Sequence, residues 1–507
     1  MLTHSAMLRA SASSFGGRTA LISDDRSTLT YRELDRITDA CAAGLLDAGL
    51  AAGDRVAWLA QNCLEYLVAY FATAKAGLVF APINFWLRAA EIDRVLDRVR
   101  PAAVMADAEN AERMEALQAT GAASLRVVVG GRRSGWESWT DLLDRSSRSL
   151  GEVDENALHE IIFTSGTTGQ VKGVMRSQRQ RIIDSLTSAM GFQVRRTDHQ
   201  IFFGPQFHVG GASVPNQMLV QGGIASVIKF SPERVAESIA EGATYMIGVP
   251  AHYNLMFESG VLDGLDTSRV NGCYVGGSVA TGPLFSAIAD HFPTADMVHG
   301  YGSTESGPHT LSLRGQEFID HPGALGLPVP GTQVRVIDGE GCDIDGERTG
   351  EIGELVVRSD SVMLGYLDAP ELTASVLDAD GWLRTGDLVR RGPEGYFHLA
   401  GRAKEMIISG GENIYPKEVE DVLAGHDAVA EIAVIGAPDP VYEEKVVAYI
   451  RLQPGKSVTT DELRAFVRAR IAGYKTPKDV YLVEDFPRTA LGKIAKTELG
   501  SNLDKEQ

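Results

Sequence analysis

Apolar residues recur along this chain in short bursts divided by longer stretches with helical spacing. Thr30-Tyr31-Arg32-Glu33 has the form of a capping box, and Leu34, Ile37, Cys41 and Leu45 then follow at helical intervals until Gly49. A short strand, Arg55 to Ala60, and a helix, Cys63 to Ala76, come next. Ile161-Ile162-Phe163 reads as a buried strand that ends in a loop, and Val227 to Phe230, Tyr245 to Val249 and Asn271 to Val275 read as further strands with helices between them. Strand and helix alternating over about 300 residues predict an α/β fold of parallel sheets covered on both faces.

From about Gly331 the pattern changes. Gln333 to Gly339 and Gly353 to Arg358 alternate with a period of two and carry Asp-Gly and Glu-Gly turns, which predicts a small antiparallel barrel or sheet. After Gly401 it changes again. Lys417 to Leu423 and Asp461 to Ile471 read as helices; Ala430 to Ile435, Lys445 to Leu452 and Asp479 to Val483 read as strands. A stretch of about a hundred residues of this kind suits a separate α+β domain. The expected division is an N-terminal domain over residues 1–402, with αβ subdomains to about 325 and a small β part over about 326–402, and a C-terminal domain over 403–507.

At 507 residues the chain is too long for one small core. Lys plus Arg number 48 against 67 Asp plus Glu, a net charge of −19, so nucleic acid and anionic membranes are poor general partners. The four cysteines, Cys41, Cys63, Cys273 and Cys342, make neither a metal pattern nor a disulfide framework, which fits a reducing cytoplasm. The first residues lack the basic and apolar regions of a signal peptide. The most apolar long stretch, Tyr66 to Leu87, is interrupted by Lys75, Pro82 and Asn84, so a core helix and a strand account for it better than a membrane span.

The densest chemistry lies in Thr164-Ser165-Gly166-Thr167-Thr168-Gly169-Gln170-Val171-Lys172-Gly173. Glycines let backbone approach an anion, hydroxyls donate to its oxygens, and a lysine neutralises it, a combination suited to a polyphosphate. It is not a Walker A loop, because Gly173 follows Lys172; the Gly-Lys-Ser at residues 455–457 lacks the upstream glycine, with Ile450 in its place.

Six segments together resemble the adenylate-forming enzyme superfamily, which includes acyl-CoA synthetases, peptide-synthetase adenylation domains and luciferases. They are Thr164 to Gly173; Pro205-Gln206-Phe207-His208; Tyr301-Gly302-Ser303-Thr304-Glu305; Trp382-Leu383-Arg384-Thr385-Gly386-Asp387; Gly401-Arg402-Ala403-Lys404-Glu405 through Glu420; and Pro487-Arg488-Thr489-Ala490-Leu491-Gly492-Lys493. They stand in the family's order from about Thr30 to Lys493. Most of all the chain is similar to a free-standing acyl-CoA ligase. The resemblance implies a large N-terminal domain of two parallel-type αβ sheets plus a small β-barrel, and a smaller mobile C-terminal lid hinged near Lys404. It implies ATP, Mg²⁺ and CoA, and conversion of a carboxylic acid to acyl-AMP and then to acyl-CoA.

On that resemblance Thr164, Ser165, Gly166, Thr167, Thr168, Gly169 and Lys172 would hold phosphates. Gly276, Gly277 and Ser278 would lie against the nucleotide, and Tyr301 and Gly302 beside adenine. Asp387 and Arg402 would serve the ribose and AMP. Thr304 would bond phosphate or acyl carbonyl, Glu305 would hold Mg²⁺, Lys493 would neutralise phosphates or the incoming carboxylate, and His208 would gate the thiol path. Phe207, His208, Val209, Gly210, Gly211, Val275, Gly276, Gly277 and Tyr301 would border an apolar acyl pocket, and Gly410, Gly411 and Asn413 a CoA tunnel. Such a pocket suits a sizeable hydrophobic acid, aromatic, polycyclic or aliphatic. Val171 stands where the family most often has proline. An enzyme specialised for thioester formation from a supplied acyl-AMP, transfer to a carrier-protein thiol and a non-catalytic adenylate binder stay open at this point, as does a homodimer.

Overall fold

The computed structural model describes all residues except 1, 118–121, 146–148, 166–170, 278–281, 345–349, 393, 411, 489–493, 497 and 500–507. Two compact units account for the chain. One comprises Met1–Val334 and Val357–Leu383, the other Arg335–Val356 and Arg384–Gln507.

The first unit carries two sheets. In one, the strands run in the order Thr28–Thr30, Thr19–Ile22, Ile224–Val227, His199–Phe202, Tyr245–Gly248, Gly272–Gly276, Asp296–Ser303, Gly307–Arg314 and Ala324–Pro328. Pairing is parallel from Thr19–Ile22 through Asp296–Ser303 and antiparallel at either end. The other is eight-stranded, from Gly365–Tyr366 through Val171–Ser177, Leu158–Ser165, Val79–Pro82, Arg55–Leu59, Ala103–Asp107 and Leu125–Val129 to Glu137–Ser138. The parallel arrangement follows from strands too apolar to face water on either side, so helices must cover both faces.

The capping box at Thr30 forms as expected, with Thr30 Oγ1 accepting from Glu33 N at 3.2 Å and opening the helix Tyr31–Asp47. The helix Leu64–Ala76 is buried around its whole circumference, in a core that joins Leu21, Ala225 and Val227 of one sheet to Trp58, Phe80 and Met105 of the other. Lys75, which interrupts that apolar run, has a side chain with no exposure, and its ammonium pairs with Asp35 and Asp39 at 2.6 Å each. Burial is tolerated because two carboxylates and the Asp35 carbonyl replace water. No helix among the described residues is long and apolar enough to cross a membrane.

One expected strand is displaced. The sequence predicts a strand over Val227 to Phe230, whereas the strand is Ile224–Val227. Ile228 N still donates to the Phe202 carbonyl at 3.1 Å, but Ser231 then caps the helix Pro232–Ala240 and pulls the chain off the sheet. The strand expected from Ala430 to Ile435 runs further, over Val429–Asp439, because its hairpin with Glu443–Leu452 carries it past Gly436 and Pro438.

In the second unit, which takes all but the first residue of the strand Leu383–Arg391, that strand pairs antiparallel with Phe397–Arg402. A five-stranded sheet holds Glu412–Ile414, Ile407–Ser409, Glu443–Leu452 and Val429–Asp439, with Asp479–Leu482 parallel to Glu443–Leu452. The helices Pro416–Ala424 and Thr460–Arg468 place Val419, Leu423, Leu463 and Val467 against Ile407, Val434 and Ile450.

Buried histidines set an acid limit on the first unit. His4 lies 4.9 Å from His159 between ring centroids and has its Nε2 3.2 Å from the Tyr70 hydroxyl. Burial, then Arg181, lowers His4 to about 3, and burial takes His159 well below its ordinary value. Between the unfolded value of about 6.5 and those folded values the unfolded chain binds more protons, so stability present above pH 6.5 is lost as pH falls. At pH 5 each such group costs about 2 kcal/mol. The melting temperature is expected to drop from pH 7 to pH 5, and His159→Leu to shrink that drop; an unchanged drop in thermal melts would refute this account.

Candidate active site

The strands Leu158–Ser165 and Val171–Ser177 form an antiparallel hairpin in which Thr164 faces Lys172 and Ser165 faces Val171. Gly166, Thr167, Thr168 and Gly169 lie outside the described residues. Lys172 extends toward Tyr366, its ammonium 5.0 Å from the ring centroid. Val171 packs with Phe163 on the edge of the core formed by Ile83 and Leu96.

A turn between Asp296–Ser303 and Gly307–Arg314 presents Thr304 and Glu305. It is tightened by Ser303 N donating to Ser306 Oγ at 3.1 Å, Ser306 N donating to Ser303 Oγ at 3.0 Å, and the Ser306–Thr310 hydroxyl pair at 2.9 Å. Gly302 has no room for a side chain: a Cβ would lie 2.4 Å from the Gly307 carbonyl oxygen. Tyr301 pairs with Leu311 beside this turn. Glu305 Oε1 accepts from the Tyr366 hydroxyl at 2.9 Å.

Beneath both segments lies a group of four charges with no side-chain exposure. Arg176 Nη2 and Arg181 Nη1 both meet Asp184 Oδ2, at 2.7 and 2.9 Å, and Arg181 Nε meets Glu160 Oε2 at 2.7 Å. Burial pushes the Glu160 carboxyl up, and the guanidiniums of Arg181 and Arg176 oppose that push. Each arginine has a further bond outside the group. Arg176 Nη1 donates to the Thr304 carbonyl at 2.8 Å, and Arg181 Nη2 donates to the Val209 carbonyl at 2.8 Å. The hairpin, the Thr304–Glu305 turn and the Phe207–Val209 loop are therefore tied to one buried centre. Arg176 stands out in the sequence only as a departure from the family pattern just after the phosphate segment, and Arg181 not at all; two arginines five residues apart were the available signal.

Phe207 is buried, with its ring centroid 5.2 Å from Phe85, 5.4 Å from the half-exposed Trp86 and 4.4 Å from His208. Gln206 fixes this loop, its N donating to Asn62 Oδ1 at 3.0 Å and its Oε1 accepting from Cys63 N at 2.8 Å. Gly210 and Gly211 open the helix Gly210–Gln221 that follows.

At the end of Gly272–Gly276, Gly276 pairs with Gly300. A Cβ on either glycine would fall 2.2 or 2.5 Å from the Tyr274 hydroxyl oxygen, so the absence of side chains is what lets the phenol lie there. Phe192 lies tilted against it at 4.6 Å, and His309 meets it edge-on at 6.5 Å. Val275 turns the other way: its side chain sits in the core with Cys273, Leu284 and Ile288. Tyr274, rather than Val275, shares a face with the glycines. Gly277 follows with φ +77°, and Ser278 lies outside the described residues.

In the second unit Asp387 is buried and faces Arg402 across the hairpin, with Arg402 Nε 3.1 Å from Asp387 Oδ1. Thr385 Oγ1 donates to the Leu355 carbonyl at 2.7 Å and accepts from Asp387 N at 3.1 Å, which fixes the aspartate. Lys404 lies in the short 3₁₀ turn Ala403–Glu405. Gly410, at φ +60°, donates its N–H to the Tyr442 carbonyl at 2.8 Å, and exposed Asn413 pairs with Ile408. Gly411 and Lys493 lie outside the described residues. Lys496, unremarked in the sequence, pairs with Glu405 at 3.0 Å and Glu420 at 2.8 Å, fastening the C-terminal segment to the block containing Lys404.

No cluster of three or more His, Cys, Asp or Glu able to hold a metal alone occurs among the described residues. Glu305 offers one hard carboxylate, which suits a magnesium ion that keeps its waters and takes its other ligands from phosphate.

Residues 8–367 match the AMP-binding enzyme family, and residues 418–493 match the AMP-binding enzyme C-terminal domain. The chain belongs to the AMP-binding enzyme family. Among relatives of this AMP-binding enzyme, feruloyl-CoA synthase of Amycolatopsis sp. is 36% identical over 478 residues, covering 93% of this chain and 94% of that one. Indoleacetate–CoA ligase of Aromatoleum aromaticum is 31% identical over 489 residues, covering 95% and 94%. The ATP-bound structure of MatB from Rhodopseudomonas palustris superposes with a TM-score of 0.89 at 28% identity, covering 98% of each chain. The expected α/β architecture and adenylate-forming class hold.

The buried charges make a stability prediction. Removing one partner of a buried ion group costs about 3–5 kcal/mol, whereas replacing the whole pair by apolar groups is near neutral. Arg181→Leu should therefore lower the melting temperature markedly, and Arg181→Leu with Glu160→Leu should recover at least half the loss. A single variant as stable as wild type in thermal melts contradicts this.

Proposed function

We propose that this AMP-forming acyl-CoA ligase activates a sizeable hydrophobic or aromatic carboxylic acid. The observation that carries the proposal is the joining of the Lys172 hairpin, the Thr304–Glu305 turn and the Phe207–Val209 loop through Arg176 and Arg181. Those three segments supply what the first half-reaction needs at one place: cationic and N–H donors for phosphate, a hard oxygen for magnesium, and an apolar wall for the acid.

In the first step a carboxylate oxygen attacks the α-phosphorus of ATP, the bond to the β-phosphate oxygen breaks, and pyrophosphate leaves. Negative charge grows on the phosphates, and preorganised positive groups lower that barrier most. Lys172 and Lys493 fill this role, with Thr304 donating to the reacting oxygens. Glu305 would hold magnesium, which would supply further charge neutralisation when bound. Asp387, paired with Arg402, accepts the ribose hydroxyls, charge-assisted bonds worth roughly 1.5–3 kcal/mol each. In the second step the CoA thiolate attacks the acyl carbonyl, the acyl–phosphate bond breaks, and AMP leaves. His208 borders the thiol path, and Lys404 is the hinge between the adenylating and thioester-forming orientations.

For the acid, Tyr274 between Gly276 and Gly300, with Phe192 and Phe207, favours a flat or bulky apolar group. The relatives named for ferulate and indoleacetate support an aromatic acid. Transfer to a carrier-protein thiol is the second reading, since it requires the same residues. The free cysteines support a cytoplasmic setting.

Ferulate and related arylalkanoic acids should outcompete acetate and malonate when pyrophosphate and CoA thioester are measured together; preference for acetate or malonate overturns the substrate reading. Lys493→Ala should depress acyl-AMP formation at least tenfold more than thioester formation from supplied acyl-AMP. Asn413→Trp should do the reverse by narrowing the thiol path. Asn413 is the better position because Gly410, at φ +60°, would strain any side chain. Equal effects of both changes on both half-reactions would sink the division of labour.

A further inference from the structure

Tyr366 lies between the two groups assigned to the triphosphate. Its hydroxyl donates to Glu305 Oε1 at 2.9 Å, while the Lys172 ammonium stands 5.0 Å from the centroid of its ring. Its own backbone is held on both sides. Tyr366 pairs with Val174 in the hairpin that carries Lys172, Tyr366 N donates to Thr373 Oγ1 at 2.9 Å, and Leu367 N donates to the Gly173 carbonyl at 2.8 Å. Three residues earlier, Met363 N donates to the Glu305 carbonyl at 2.8 Å. One short segment thus grips the hairpin and the turn, and its tyrosine side chain touches the functional end of each.

A glutamate and a lysine on separate elements each have several rotatable bonds, and holding two such side chains in one geometry costs rotamer freedom. A phenol that binds the carboxylate at its hydroxyl and the ammonium at its face removes much of that freedom before the nucleotide arrives. The phenol engages one Glu305 oxygen, and a metal ion would take the other.

We propose that Tyr366 is a positioning residue for magnesium–ATP: a single side chain sets the spacing between the metal-binding carboxylate and the phosphate-neutralising ammonium. The proposal rests on the reading of Glu305 and Lys172 given above. Its test is calorimetric titration of ATP into the full chain, once with Mg²⁺ and once with EDTA, alongside the melting temperature of each variant. Tyr366→Phe keeps the ring and loses the hydroxyl. It should shrink the gain in ATP affinity that magnesium confers by three- to tenfold and leave the metal-free affinity within twofold of wild type. Tyr366→Leu removes the ring as well and should also weaken metal-free binding severalfold. Because Tyr366 acts through Glu305, adding Tyr366→Phe to Glu305→Gln should weaken magnesium–ATP binding no further than Glu305→Gln alone. A magnesium gain unchanged in Tyr366→Phe, or fully additive losses in the double variant, overturns the proposal. So does an equal loss with and without metal accompanied by a lower melting temperature, the signature of packing alone. Wild type failing to bind ATP in either buffer instead overturns the nucleotide reading itself, before any variant is compared.

Discussion

Four charges without water, Glu160, Arg176, Arg181 and Asp184, are the constraint around which the first unit is arranged. Isolated charges in an apolar interior are so unfavourable that they persist only when paired and hydrogen-bonded in good geometry. Two guanidiniums and two carboxylates pair among themselves, and one N–H of each arginine reaches a loop carbonyl, Thr304 for Arg176 and Val209 for Arg181, while Arg176 Nε and Asp184 Oδ1 keep no hydrogen-bond partner among the described residues. Because both carbonyls belong to chemistry-bearing loops, the need to satisfy arginine donors becomes a constraint on where those loops lie. Moving either loop outward strands a buried N–H. The arrangement is net neutral, and its value lies less in raw stability than in admitting few alternatives.

Loops that approach a polyphosphate cannot be held by apolar packing alone, since they are rich in glycine and hydroxyls and bury little area. The hairpin shows a different solution. Its outer end bears Lys172, while its inner half puts Arg176 into the charge group and seals Ile161 and Val174 into the core. The same two strands carry the proposed phosphate contact at one end and reach the interior at the other.

Much of this was legible in the sequence because it is written locally. The capping box at Thr30, the helix ending at Ala76 and the strands around Tyr245 and Gly272 follow from period and punctuation. The ordered motifs identified the chemistry. What escaped was set by partners far along the chain. The strand expected at Val227 begins earlier because His199–Phe202 fixes its register, and the pairing of Lys75 with Asp35 and Asp39 needs two helices to be seen together. Arg176, Arg181, Tyr366 and Lys496 share that property. Each is an unremarkable polar residue whose meaning comes from contacts across tens to hundreds of positions. Val275 and Tyr274 were separated only by the alternation of a strand, which decides which neighbour faces the glycines.

The phenol of Tyr274 lies over two glycines that can hardly be anything else, and this has an evolutionary corollary. The bare backbone at Gly276 and Gly300 exists to accommodate one aromatic side chain. A lineage that trades that tyrosine for a smaller residue gains a cleft lined by main chain on the opposite wall, without disturbing the helix-covered side of the sheet where Val275 packs. Change at a single codon can then open the space that the phenol fills, while the glycines preserve the option of changing back.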